Sequence, residues 1–225
     1  MRKNQKGVCL NMTYLNIKSF GVELEGGVDS EESFVRIREH FAHDEHFKMH
    51  HDGSVGTHSM YDGLEYTFWA TTLDSLMSYA DYIYSHDFQV NDSCGLHVHM
   101  KFNDERLGYF ITSSKDFQMW FMDQYKSHFK NRDKYMRRLA NHYCRFEGYD
   151  IVTTLDQGLA GYKAGSRYWA ININSFKVLR TIEFRILPYQ HNVAEMRESL
   201  DWLLSTIDRY FNEHPDTVDL ITKRL

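Results

Sequence analysis

Three short segments far apart in the chain carry chemistry-bearing side chains at alternate positions. They are Glu23 and Glu25 in Gly21-Val22-Glu23-Leu24-Glu25, His97 and His99 in Gly95-Leu96-His97-Val98-His99, and Glu183 and Arg185 in Thr181-Ile182-Glu183-Phe184-Arg185. Carboxylate oxygens suit magnesium or manganese, imidazole nitrogens extend that ligand set, and a guanidinium suits phosphate or carboxylate. Successive side chains on a β-strand point to opposite faces, so each segment turns these groups to one side and Val22/Leu24, Leu96/Val98 or Ile182/Phe184 to the other. The expected product is a sheet with one apolar face and one face of metal ligands. Carboxylates at i and i+2 stand about 6–7 Å apart and repel by about 2–3 kcal/mol at an effective dielectric near 20. A divalent metal, Arg185 or bulk water must offset that repulsion. Any one such pair is ordinary as a solvated or hydrogen-bonded surface feature, whereas three together favour a site.

Glu65, in Gly63-Leu64-Glu65-Tyr66, faces away from Leu64 and Phe68, and Arg167 is a second candidate for anion contact. Cys94 heads a Cys-x-x-His-x-His string, but no second Cys/His pair stands at structural-zinc spacing, so Cys94 is expected in a turn or the core.

The elements that must position these groups follow from periodicity. Tyr14 to Glu25 alternates as a strand, with Gly26-Gly27 closing it. Ser30 followed by Glu31-Glu32 starts a helix with Phe34, Ile37 and Phe41 on its apolar stripe, to about Ala42. Asp52-Gly53 marks a tight turn with a positive φ, and Asp62-Gly63 introduces a strand from Leu64 to Trp69, so a meander is expected. Thr72 caps a helix through Leu73, Leu76, Met77, Ala80 and Ile83, and Leu96 to Phe102 returns to period two. Asp104 to Cys144 reads as mainly helical, and Arg145 to Gly165 as irregular or mobile. Arg167–Ile173 and Leu179–Leu187 read as the last strands. Asn192 with Glu195 opens a final helix, about residues 192–213. Hairpin signals with helices gathered elsewhere predict an α+β fold with a mainly antiparallel, curved sheet and helices on one face.

A chain of 225 residues with no linker-like stretch fits one domain. A net charge of −5 argues against a protein devoted to nucleic-acid backbone. Three cysteines at unrelated spacings do not form a disulfide framework, and no apolar run reaches the ~20 residues that span a bilayer. A cytoplasmic protein without a membrane partner is expected.

The ordered set Gly-Val-Glu-Leu-Glu, Asp-Gly-Ser, Gly-Leu-Glu, Cys-Gly-Leu-His-Val-His, Arg-Tyr-x-x-Ile-Asn and Thr-Ile-Glu-Phe-Arg resembles the amidoligase family. That family belongs to the carboxylate-amine ligase superfamily, with glutamine synthetase and glutamate-cysteine ligase. The resemblance spans Phe20 to Leu187 and implies a glutamine-synthetase-like catalytic domain holding ATP between Mg2+ or Mn2+ ions. By position it makes Glu25 and Glu65 ligands of the metal nearer the substrate carboxylate, and Glu23, His97 and Glu183 ligands of a second metal between the β and γ phosphates. Arg185 and Arg167 would face the γ-phosphate or acyl phosphate, with His99 near the nucleotide. Asp52, at the Asp-Gly-Ser position, would place the amine or a metal water. The chain departs from the family after Glu65, where Thr67-Phe68-Trp69-Ala70 replaces a Ser-Pro-type stretch.

The implied reaction is ATP-dependent amide formation through an acyl phosphate, joining a carboxylate to an amine, with a peptide or protein among the candidate substrates. The Arg145 to Gly165 segment would serve as a lid. The rival readings are a metal-dependent hydrolase using the same Glu/His face and a non-catalytic binding protein with a ligase fold.

Overall fold

The computed structural model describes residues 14–146 and 168–223. Its centre is strand β1 (Ile17–Val28), whose Phe20, Val22 and Leu24 are buried on one face. β3 (Tyr61–Ala70) pairs with one edge of β1 and β5 (Gly95–Phe102) with the other. β2 (Phe47–His51) lies outside β3, β7 (Ile182–Pro188) pairs with β5, and β6 (Ile171–Asn172) pairs with β7. A two-residue strand β4 (Phe88–Gln89) adds to the end of β1 at Gly27 and Val28. The strands form an open, curved antiparallel sheet in the order β2-β3-β1-β5-β7-β6. The expected meander is therefore not what forms. The first strand takes the middle of the sheet, because both its edges pair and its apolar residues meet the core.

Helices α1 (Glu31–His40), α2 (Leu73–Tyr84), α3 (Glu105–Ser113), α4 (Lys115–Phe129), α5 (Asp133–Arg138), α6 (Phe176–Leu179), α7 (Val193–Glu213) and α8 (Pro215–Thr222) complete the described fold. Ser30, Thr72, Asp104, Ser114 and Asn192 each accept a hydrogen bond from a backbone N–H of the first turn, satisfying donors a helix start leaves orphaned. The apolar face of the sheet, with Val22, Leu24, Val98 and Phe184, shares one core with Leu76 and Ala80 of α2, Phe121 and Tyr125 of α4, and Leu200 and Leu203 of α7. Each of the Val, Leu and Phe side chains among them contributes about 1.5–3 kcal/mol on full burial. That core fixes which face of the sheet is left for chemistry.

Several local expectations change. Gly26 and Gly27 do not close β1, which continues to Val28. A side chain at Gly26 would collide with the Phe88 ring, so glycine serves the close approach of β4. Gly63 carries the positive φ, 67°, inside β3 and not at its start. It sits at a bulge, where Gly26 pairs with Leu64 but Val28 pairs with Tyr61. Leu179 ends the short helix α6 and precedes the last strand, with Arg180 in the left-handed conformation between them. Of the Arg167–Ile173 strand only Ile171–Asn172 is paired as β6, and Arg167 lies outside the described residues, as does most of the expected lid, from residue 147 onward. α8 has no counterpart in the sequence reading. No helix among the described residues is long and apolar enough to cross a membrane.

Candidate functional site

Register, more than any single strand, assembles the polar face. Pairing sets Glu25 opposite Glu65, Glu23 opposite His97, and His99 opposite Glu183. Because a cross-strand pair shares a face, six chemistry-bearing side chains from four paired strands converge. Asp52, just beyond β2, joins them, since its backbone N–H donates to the Gly63 carbonyl at 2.7 Å. Glu23, Glu25, Asp52, Glu65, His97, Glu183 and Arg185 all line one cleft of about 490 Å³.

Two groups of ligand-type atoms form on this face of the sheet. Glu25, Asp52 and Glu65 each bring a carboxylate oxygen to within 4.8 Å of the others, and Glu23, His99 and Glu183 do the same with two carboxylates and an imidazole. His99 completes this second trio, and His97 also lies within 4.0 Å of both its carboxylates. His97 stands between the groups, with Nδ1 3.1 Å from Glu23 Oε2 and 3.6 Å from Glu183 Oε1, and Nε2 3.5 Å from Glu25 Oε1.

The groups differ in how their charge is met. Glu23 accepts from His97 and, through its other oxygen, from His99 Nε2 at 2.9 Å. Burial alone would push the Glu23 carboxyl up, but the hydrogen bonds and charges of His97 and His99 outweigh it and hold the group well below the usual carboxylate range. Burial lowers His99, yet the Glu23 hydrogen bond and the charges of Glu183, Glu23 and Glu65 raise it overall. Its Nδ1 meets Thr181 Oγ1 at 3.1 Å. Glu183 pairs with Arg185 and accepts from Asn172 Nδ2 at 2.6 Å. These contacts complete a network that neutralises itself.

Glu25 receives the Gly95 N–H at 2.6 Å, and Asp52 accepts from the N–H and hydroxyl of Ser54. No Lys or Arg among the described residues makes an ion pair with Glu25 or Glu65; His97 is the one basic side chain within 4.0 Å of Glu25. Burial, then the charges of Glu23, Glu25 and Asp52, raise Glu65 to about 7, against the opposing effect of His97. The raised Glu65 is what mutual repulsion of gathered carboxylates produces, and the all-oxygen donor set suits magnesium or manganese.

Asn172 and Arg138 are among the cleft residues that carry no role from the sequence. Asn172 ends the Arg-Tyr-x-x-Ile-Asn motif and orients Glu183. Arg138, on α5, lies 6 % exposed beside His97, with Nη2 3.5 Å from its Nε2 and 3.1 Å from the Arg185 carbonyl. The one sequence signal was its i, i+3 spacing from the core residue Tyr135. Cys94 is a buried free thiol that burial raises to about 11, as suits a turn and core residue and not a reactive one. Comparison of the chain with protein-family models, with curated proteins and with solved structures finds no match.

Proposed function

We propose that the protein is an ATP-dependent carboxylate-amine ligase with Mg2+ or Mn2+ as cofactor, its chain forming a single glutamine-synthetase-like catalytic domain. The observation that carries the reading is the pairing of two acidic groups on one sheet face, with Glu25 and Glu65 of one group in no ion pair with a Lys or Arg among the described residues, and the Arg185 guanidinium in the same cleft as those two. Glu25, Asp52 and Glu65 would hold one ion, and Glu23, His99 and Glu183 a second. Bound there, divalent ions supply charge neutralisation for a transferring phosphoryl group.

In the reaction, an oxygen of the substrate carboxylate attacks the γ-phosphorus of ATP and ADP leaves. The amine nitrogen then attacks the acyl carbon, losing a proton, and phosphate departs. No protein nucleophile is needed. Arg185, held by Glu183, would face the phosphoryl oxygens, and Asp52 would orient the incoming amine. His97, facing both acidic groups, would hold Glu23 and Glu25 in register. The buried free thiols Cys94 and Cys144 accord with a reducing, cytoplasmic setting.

Calorimetry of ATP with magnesium, comparing wild type with Glu65→Gln, tests the proposal. Magnesium-dependent ATP binding that the folded variant loses is expected, followed by ADP release when a matching carboxylate and amine are supplied. Metal binding without any ATP binding would overturn the ligase in favour of a metal-dependent hydrolase.

A further inference from the structure

Among the described residues Arg138 is the one buried Lys or Arg. Arg132, Lys134, Arg137, Arg185 and Arg197 each have a carboxylate partner within 4.0 Å. Arg138 is more buried than any of them and has none among the described residues. Its Nε and Nη2 donate to the Arg185 carbonyl, at 3.3 and 3.1 Å, and Nη1 makes no hydrogen bond to a described residue. A buried guanidinium without a counter-ion is unfavourable unless an anion completes it.

The side chain is also held in place. Its guanidinium rests over Gly95, where a Cβ would collide with Nη2, so the absence of a side chain there makes room for the charge. Arg138 lines the carboxylate cleft on one side and, on the other, a second cleft of about 290 Å³ bordered by Lys134, Arg137, Asn141 and Tyr189. Asp92 is the one acidic residue lining that second cleft, and it is paired with Arg137. Lys134 is paired with Glu195 as well, which leaves Arg138 as the unmatched positive charge where the two clefts meet.

We propose that Arg138 is the centre of an oxyanion subsite, taking a phosphate or carboxylate group of a ligand that reaches from the carboxylate cleft toward the second cleft. A guanidinium fixed along one edge by a carbonyl keeps its remaining N–H donors for planar recognition of such a group. The inference rests on the placement of Arg138 and holds whether or not the protein forms amides.

The test measures binding of inorganic phosphate, of succinate and of ATP with magnesium to wild type, Arg138→Gln and Arg132→Gln, with Mn2+ affinity followed in parallel. Loss of one charge-assisted pair is expected to weaken oxyanion binding about tenfold or more in Arg138→Gln, while Arg132→Gln and the Mn2+ affinity stay unchanged. Loss confined to phosphate and ATP assigns the subsite to the nucleotide, and loss confined to succinate assigns it to the carboxylate substrate. Unaltered phosphate and succinate binding by folded Arg138→Gln, or binding of neither by wild type, would overturn the inference. A matching fall in Mn2+ affinity would also overturn it, by placing the effect in the carboxylate groups. Should Arg138→Gln not fold, Gly95→Ala, which displaces the guanidinium and keeps every charge, is read by the same outcomes.

Discussion

Glu23 and Glu65 stand on neighbouring strands and face the same cleft, yet their surroundings drive them in opposite directions. Glu23 is met by two histidines and is held as a carboxylate. Glu65 is met by burial and by three other carboxylates and is pushed toward its protonated form. Without metal the first group is neutralised by its own histidines and Arg185, so an ion there would have to displace the His99–Glu23 contact, whereas the second group favours an added cation directly. Adjacent acidic residues on one sheet face can thus serve opposite ends, one holding the fold together and the other costing it stability until a ligand arrives.

The sharpest way to break this contrast is Glu23→Gln. It takes from buried His97 and His99 the nearest of their anionic partners, and an unfolding measurement in urea should show a loss of about 3 kcal/mol, the low end for breaking a buried pair, since Glu25 and Glu183 remain beside His97. An unchanged midpoint would mean that the network contributes nothing. Glu65→Gln should act on binding instead. Its Mn2+ affinity, read by titration, should fall by roughly 10–100-fold or more, since loss of even an outer partner of a metal ligand costs that much. The same substitution should stabilise the metal-free protein by about 1 kcal/mol near neutral pH, because it removes a repelling charge.

The smallest effect is the pH dependence. Glu65 has a folded value of about 7, above the usual carboxylate range, so the fold binds its proton more tightly than the unfolded chain does. Its contribution to stability is present below ~4.3 and is lost as the pH rises through about 7. Glu23 is depressed, so its contribution is present above ~4.3 and is lost as the pH falls below it. Urea midpoints of metal-free wild type should therefore decline with rising pH across that window, and Glu65→Gln should flatten the decline. An equal slope in both proteins would remove Glu65 as its source.

Much of this site was legible from alternation alone. Glu23/Glu25, His97/His99 and Glu183/Arg185 each lie on the polar side of their strand, because Val22, Leu24, Leu96, Val98, Ile182 and Phe184 have a core to enter. The capping residues Ser30, Thr72 and Asn192 were equally readable, since a local hydrogen bond to the first turn depends on only three or four residues. Strand order was not, because it depends on which edges pair, and a central first strand leaves no local mark. Nor was the place of His99 in the second trio, which follows from His99 lying opposite Glu183 across the β5–β7 pair.

By itself the sequence determined which residue types alternate, hence that an acidic and imidazole face would stand behind an apolar one, and where helices begin. Only the tertiary structure decided how those groups partition. Whether a carboxylate is neutralised by histidine, as Glu23 is, or crowded by others, as Glu65 is, depends on register between strands distant in sequence. The same holds for Arg138. In sequence it matches Arg137 beside it, but one helical step of about 100° turns it under cover between the two clefts while its neighbour pairs with Asp92 at the surface.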